Sequence, residues 1–285
     1  MKLSIITAVF NNRRYIETCL QSLSSQSHPD IEHIIIDGGS TDGTLDVIAR
    51  FTQAASRYPA SNAKPSALCS LPARVTHVVS EPDNGIYDAL NKGIRMATGE
   101  VIGFLHADDL YADASVIGKV ASAMSQSRAD SCYGDLVYVR YCGQACKPAS
   151  PQACNQQSES PFRTVRYWKS GEFSPDLLGK GWMPPHPTFF ARREVYERAG
   201  VFDTGFKIAA DYELMLRFLG KHKITTCYIP EVLVRMRVGG ASNKSLPNIL
   251  RKSSEDLRAM KMHHIGGLPT LIRKNLSKLP QFFKK

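Results

Sequence analysis

Four short apolar or β-branched runs, each closed by polar residues or glycine, constrain this chain more than any other feature. They are Leu3–Phe10, Ile31–Asp37, Val75–Ser80 and Val101–Leu105. Each is short enough for a strand, and the last is apolar throughout, as a strand buried on both faces must be. Between them run segments with apolar residues at helical spacing: Ile16, Cys19, Leu20 and Leu23, then Leu45, Ile48 and Phe51, then Tyr87–Ala97. Strands alternating with helices predict an α/β fold, a mostly parallel central sheet flanked by helices. Asp37, Glu81, Asp83, His106, Asp108 and Asp109 all follow strand ends. They therefore share the C-terminal edge at which open α/β sheets bind ligands.

The second half is less regular. Ser131–Tyr141 alternates like a strand, Thr188–Ala191 is a short one, Asp211–Leu219 reads as a helix, and Thr225–Val238 holds one or two strands. The stretches 54–72 and 142–161 have loop composition. Seven cysteines, an odd count without any C-x-x-C pair, give no disulfide framework. The grouping of Cys132, Cys142, Cys146 and Cys154 reads as free thiols rather than a zinc site. The first residues lack a cleavable signal and no run is long enough to span a bilayer, so a cytoplasmic location is expected.

The acids at the strand edge carry the chemistry. Asp108 and Asp109 follow a buried strand, where adjacent carboxylates are costly unless something positive meets them. Hard divalent cations prefer such oxygens and share their coordination with substrate phosphates. A helix cap at Asp109 with a solvated Asp108 is the bland alternative. Asp37 opens Gly38-Gly39-Ser40-Thr41-Asp42-Gly43, whose glycines admit a ligand and whose first acid can accept hydrogen bonds from a base or ribose. No Walker lysine follows, and no G-x-G-x-x-G sits after the first strand. Glu81–Gly93 adds Asp83, Asp88 and Asn91 on a strand-to-helix loop, and Asp211 opens a helix that it would also cap.

Ser4–Asn11, Asp37–Thr44, Glu81–Gly93, His106–Asp109, His186-Pro187-Thr188-Phe189-Phe190 and Asp211-Tyr212-Glu213-Leu214 occur in that order. The ordered set resembles glycosyltransferase family two, specifically its bacterial polysaccharide-assembly members, from about Leu3 to about Ser242. The resemblance implies a GT-A fold spanning 1–243, with a nucleotide-sugar half (1–110) and an acceptor half (111–243). It implies that Thr7, Ala8 and Phe10 hold the nucleotide base and that Asp37 reads it. Asp83 and Asn91 would lie near nucleotide and donor sugar, Asp108 and Asp109 would hold Mn²⁺ or Mg²⁺ on the diphosphate, and Asp211 would be the catalytic base. Two positions depart from the family pattern: His106 stands where a full D-x-D has its first acid, and Ala210 rather than an acid precedes Asp211. Which of Asp108 and Asp109 is the inner-sphere ligand stays open. His186 is a candidate acceptor-side or phosphate contact, with a core or loop histidine as the alternative.

The implied reaction is a single inverting displacement from a nucleotide-diphosphate sugar to a hydroxyl of a glycan or lipid-linked acceptor. A sugar nucleotidyltransferase would want an early glycine-rich basic loop, and only Arg13 and Arg14 are there. Nucleic-acid binding is the rival suggested by a net charge of +10. Against it, residues 244–285 hold ten Lys and Arg against Glu255 and Asp256, which leaves +2 for residues 1–243. A nucleic-acid binder spreads its charge over a face of the fold. Within that basic helical extension Leu268, Leu271, Ile272, Leu276, Leu279, Phe282 and Phe283 recur at helical spacing. This predicts peripheral attachment to an anionic membrane on its cytoplasmic face. The alternative is that the stripe packs onto the catalytic domain or onto a second copy in a homodimer.

Overall fold

The computed structural model describes residues 1–52, 75–142, 161–239 and 246–276. The first half follows the expected alternation: β1 (Leu3–Val9), α1 (Arg13–Ser24), β2 (Ile31–Asp37), α2 (Thr44–Ala49), β3 (Val75–Ser80), α3 (Ile86–Met96) and β4 (Val101–Phe104). β1 pairs in parallel with β2 and β4, and β2 with β3, so the C-terminal ends of all four strands lie along one edge. Every residue of β1, β2 and β4 is buried. Helices therefore cover both faces, as the unbroken apolar runs require.

The second half supplies β5 (Leu110–Tyr111), α4 (Val116–Ser127), β6 (Ser131–Tyr141), β7 (Phe162–Trp168), α5 (Asp176–Gly179) and β8 (Phe190–Arg192). It continues with α6 (Arg193–Ala199), α7 (Ala210–Met215) and β9 (Thr226–Arg237). β9 is a single long strand, and α7 runs on through a π-helical turn to Lys221. One sheet results, in the order β3-β2-β1-β4-β8-β6-β9-β5, with β7 beside β6. β8 is antiparallel to both of its neighbours and pairs Val101 and Ile102 on one side with Ser131 and Cys132 on the other. It stitches the two halves together. β6 and β9 then run parallel to β4, so the sheet is mostly parallel.

The basic extension is helical where it is described, as α8 (Leu246–Met262) and α9 (Leu268–Leu276). It folds back on the α/β core. Ala259, Met260 and Leu271 belong to the same core cluster as Phe104, Tyr212 and Leu214. Asp256 of α8 pairs with Lys274 of α9 at 2.9 Å, both buried. His263 reaches Glu213 of α7 at 2.8 Å. Residues 277–285, including Leu279, Phe282 and Phe283 of the stripe, lie outside the described residues. So do Cys146 and Cys154, while Cys132 and Cys142 are free thiols.

Candidate active site

Asp37 ends β2 in register with Val9 of β1 and Ser80 of β3. Its Oδ2 accepts hydrogen bonds from the backbone N–H of Gly39 (3.1 Å) and Ser40 (3.0 Å) and from the Ser80 hydroxyl (2.7 Å). Its Oδ1 is buried and without a partner among the described residues. The acid thus clamps the glycine loop with one oxygen and holds the other in reserve. Gly38 packs closely here: a β-carbon would stand 2.6 Å from Asp83 Oδ2 and 3.4 Å from the Phe10 ring, so the Asp83 carboxylate would have to move. Phe10, Gly38 and Asp83 therefore form one wall, with the Phe10 ring 63% exposed at the mouth. The expected base-holding trio separates in space. Thr7 is buried and bonds His33 Nε2 at 3.0 Å, and Ala8 is buried, so only Phe10 presents its side chain. Asn91 is also turned inward: its amide donates to the Phe202 carbonyl (2.8 Å) and accepts from the Phe202 N–H (2.9 Å). It latches α3 to the loop before α7.

Further along the same edge, the turn after β4 brings the remaining candidates together around His106. Both Asp108 and Asp211 lie close enough to favour its charged form, yet burial outweighs them and pulls the imidazole below its ordinary value. His186 sits beside it, ring centroids 5.7 Å apart, and stacks on Phe104 at 5.1 Å. Burial, with His106 as a lesser cause, pulls His186 down to about 3, so both rings are neutral at physiological pH. His106 Nδ1 and His186 Nε2 are buried without partners among the described residues. Asp211 lies in the first turn of α7, where Ala209 holds the cap position and makes no side-chain cap. Asp211 Oδ1 accepts only the adjacent Tyr212 N–H, at 2.8 Å. Asp211 is thus not the N-cap residue, although it accepts one amide of the helix's first turn.

Asp109 is fully buried. Burial and then the neighbouring Asp108 push its carboxyl well above the usual range, against the opposing pull of Arg237. Oδ1 accepts from the Arg237 N–H at 3.3 Å. The other oxygen of this acid, Oδ2, is left without a protein partner among the described residues. No group of three or more His, Cys, Asp or Glu poised to hold a metal occurs among the described residues. A hard cation that takes its other oxygens from a diphosphate needs only one or two protein carboxylates. Asp108 and Asp109 fit that requirement.

Arg237 belongs to this turn although its sequence context does not mark it. It closes β9, donates to the Asp108 carbonyl (2.6 Å) and the Thr18 hydroxyl (2.7 Å), and stacks over Tyr15 and Phe162. In sequence it is one of several basic residues, in Arg235-Met236-Arg237, and its spacing singles out nothing. Tyr87, within the Glu81–Gly93 run, donates its hydroxyl to the Ile208 carbonyl at 2.7 Å.

Residues 4–200 match the model of Glycosyl transferase family 2. A PGL/p-HBAD biosynthesis glycosyltransferase from Mycobacterium bovis (strain BCG / Pasteur 1173P2) is 26% identical over 242 residues, 84% of this chain and 78% of that one. Among solved structures, S. aureus TarS 1-349 in complex with UDP-GlcNAc superposes with a TM-score of 0.61 at 16% identity, over 99% of this chain and 72% of that one. The chain spans 43% of the longer TarS chain. The mannosyltransferase PcManGT from Pyrobaculum calidifontis, in complex with GDP-Man and Mn²⁺, gives 0.61 at 17% identity over 98% and 70% of the two chains. With the family model matched over residues 4–200 and a GT-A sheet, the chain belongs to glycosyltransferase family 2.

Proposed function

We propose that the protein is an inverting, metal-dependent glycosyltransferase that moves a sugar from a nucleotide-diphosphate sugar to a hydroxyl of a glycan or lipid-linked acceptor in cell-surface polysaccharide assembly. The observation that carries this reading is the convergence on His106 of Asp108, from the turn after β4, and Asp211, from the first turn of α7. Phe10, with the free oxygen of Asp37 and with Asp83, receives the nucleotide. Asp108 and Asp109 hold Mn²⁺ or Mg²⁺, which when bound supplies Lewis-acid stabilisation of the departing diphosphate. Asp211 accepts the proton of the acceptor hydroxyl as its oxygen bonds to the anomeric carbon. The bond from that carbon to the diphosphate oxygen breaks on the opposite face, and the nucleotide leaves with the electron pair. One base and one leaving group give inversion. The neutral rings of His106 and His186 line this space without adding a cation that would hold Asp211 in an ion pair.

The reading of a membrane-bound acceptor draws on α9. Leu271 and Lys274 face the core, whereas Leu268 (59%), Ile272 (53%) and Leu276 (57%) are exposed one turn apart, beside exposed Arg273. That outward face suits an anionic, cytoplasm-facing membrane surface. No described helix is long and apolar enough to cross one. The purified chain, incubated with Mn²⁺ and a panel of UDP-sugars and GDP-mannose, is expected to release nucleoside diphosphate slowly from one of them. Release from none, with or without a lipid extract as acceptor source, would contradict the transferase reading.

A further inference from the structure

The loop that delivers Asp211 is held by a side chain from the far end of the chain. Three consecutive backbone amides, those of Lys207, Ile208 and Ala209, lead into α7. Lying ahead of the first helical residue, Ala210, these amides take no part in the helix's own hydrogen-bond ladder. Glu255 of α8 takes all three: Oε1 accepts from Lys207 N–H (3.0 Å), and Oε2 from Ile208 N–H (2.8 Å) and Ala209 N–H (2.9 Å). From the other side the Tyr87 hydroxyl holds the Ile208 carbonyl. The next residue of α8, Asp256, pairs with Lys274, whose ammonium lies 3.0 Å from the centroid of the Tyr212 ring. His263 binds Glu213. The residues on either side of Asp211 are thus tied to the C-terminal helices, while its own carboxylate takes only the adjacent Tyr212 N–H.

We infer that Glu255 is a positioning residue for the transfer step, acting through the 207–209 backbone to set the reach and direction of Asp211. The inference rests on the reading of Asp211 as the base. A carboxylate with two acceptor oxygens on three amides fixes a loop far more tightly than one bond does. A misplacement of about 1 Å at a reacting group costs roughly a hundredfold in rate. The nucleotide wall of Phe10, Gly38 and Asp83 hangs on β1, β2 and β3, which Glu255 does not touch. The effect should therefore fall on turnover and spare donor binding.

The test is Glu255→Gln, which keeps the volume but leaves one acceptor oxygen facing three donors. Turnover is read as hydrolysis of whichever UDP-sugar or GDP-mannose the Mn²⁺ panel shows to be consumed, with water as acceptor. It is expected to fall about ten- to a hundredfold, while the dissociation constant of UDP with Mn²⁺ stays within about twofold. In the double variant Glu255→Gln/Asp211→Asn, turnover should be no lower than in Asp211→Asn alone, because a positioner has nothing left to position. The role is overturned by unchanged turnover in Glu255→Gln, by equal losses in UDP binding and turnover, or by multiplied losses in the double variant. Wild-type turnover in Asp211→Asn alone removes the base reading, and this role with it. Should Glu255→Gln fail to fold, Tyr87→Phe releases the same loop from its other side and carries the same expectation of non-additivity.

Discussion

Asp108 and Asp109 are neighbours in sequence but not in surroundings. Asp108 is part-exposed and meets His106 at the cleft, whereas Asp109 is buried with one oxygen bonded and the other bare. A buried, unpaired carboxylate resists ionisation and gains most from a cation. Replacing either acid by asparagine is expected to weaken UDP binding in the presence of Mn²⁺ by tenfold or more and to leave the weak metal-free binding alone. Isothermal calorimetry with and without Mn²⁺ measures both. Unchanged Mn²⁺-dependent binding in both variants would rule out the metal role. Arg237, which supports this turn from behind, lies outside anything the sequence spacing could single out. Its function is fixed by β9 ending next to the turn, a fact of tertiary structure.

At the scale of elements, β1, β2 and the turn from α3 to β4 are locked by a buried carboxylate. Glu32 accepts from the Ser4 hydroxyl (2.5 Å), Thr98 N–H (2.8 Å), Thr98 hydroxyl (2.6 Å) and Lys2 ammonium (3.0 Å). Burial alone would raise its pKa, but these bonds outweigh it and hold the group at about 2, below its ordinary value of 4.5. A depressed carboxylate stabilises the fold above its unfolded pKa, and that stabilisation is lost as pH falls from about 4.5 towards 2. A tenfold change in proton affinity is worth about 1.4 kcal/mol, so the contribution at neutral pH is on the order of 3 kcal/mol. Urea midpoints at pH 7 and pH 3 should therefore differ more for wild type than for Glu32→Gln. Equal acid sensitivity in the two would assign the acid loss elsewhere.

The four strands of the first half were legible because both-face burial leaves an unbroken apolar run. α4 has a helical face of its own in Val116, Ile117, Val120, Ala121 and Met124, all buried. β5 has two residues and β7 has a mostly exposed face, so neither leaves a pattern to read. Among the site residues, the acids of the strand edge were found by their position after apolar runs. The bonds of Asn91 to the Phe202 backbone are not legible in sequence, because an amide that latches backbone looks there like one that faces a ligand.

At the scale of the whole molecule, the C-terminal helices join two tasks that the sequence presents as alternatives. Their inner face is core, and the described outer face carries an apolar stripe. Met260→Ala is expected to cost about 2–5 kcal/mol, as buried methionines do on truncation. The triple variant Leu268→Ser/Ile272→Ser/Leu276→Ser should melt as wild type does, since those side chains touch little. On anionic vesicles at low salt the wild type should sediment and the triple variant should not. Each Lys or Arg near such a surface adds about 1 kcal/mol, so high salt should release the wild type. Equal sedimentation of both proteins would remove α9 as the contact. Residues 1–243 alone lack Met260 and Leu271 of the main core, so that truncation would report on folding rather than on membranes.

In the proposed mechanism the two halves of the sheet divide the labour, Asp108 and Asp109 binding the donor and Asp211 performing the transfer. One titration and one rate on Asp211→Asn probe that division: UDP affinity with Mn²⁺, and release of nucleoside diphosphate from the donor that the wild type consumes. Affinity is expected to stay within about twofold of wild type while release falls by about 10²–10⁴-fold, the range for a lost general base. Release within a few-fold of wild type, or a loss of affinity equal to the loss of rate, would contradict it.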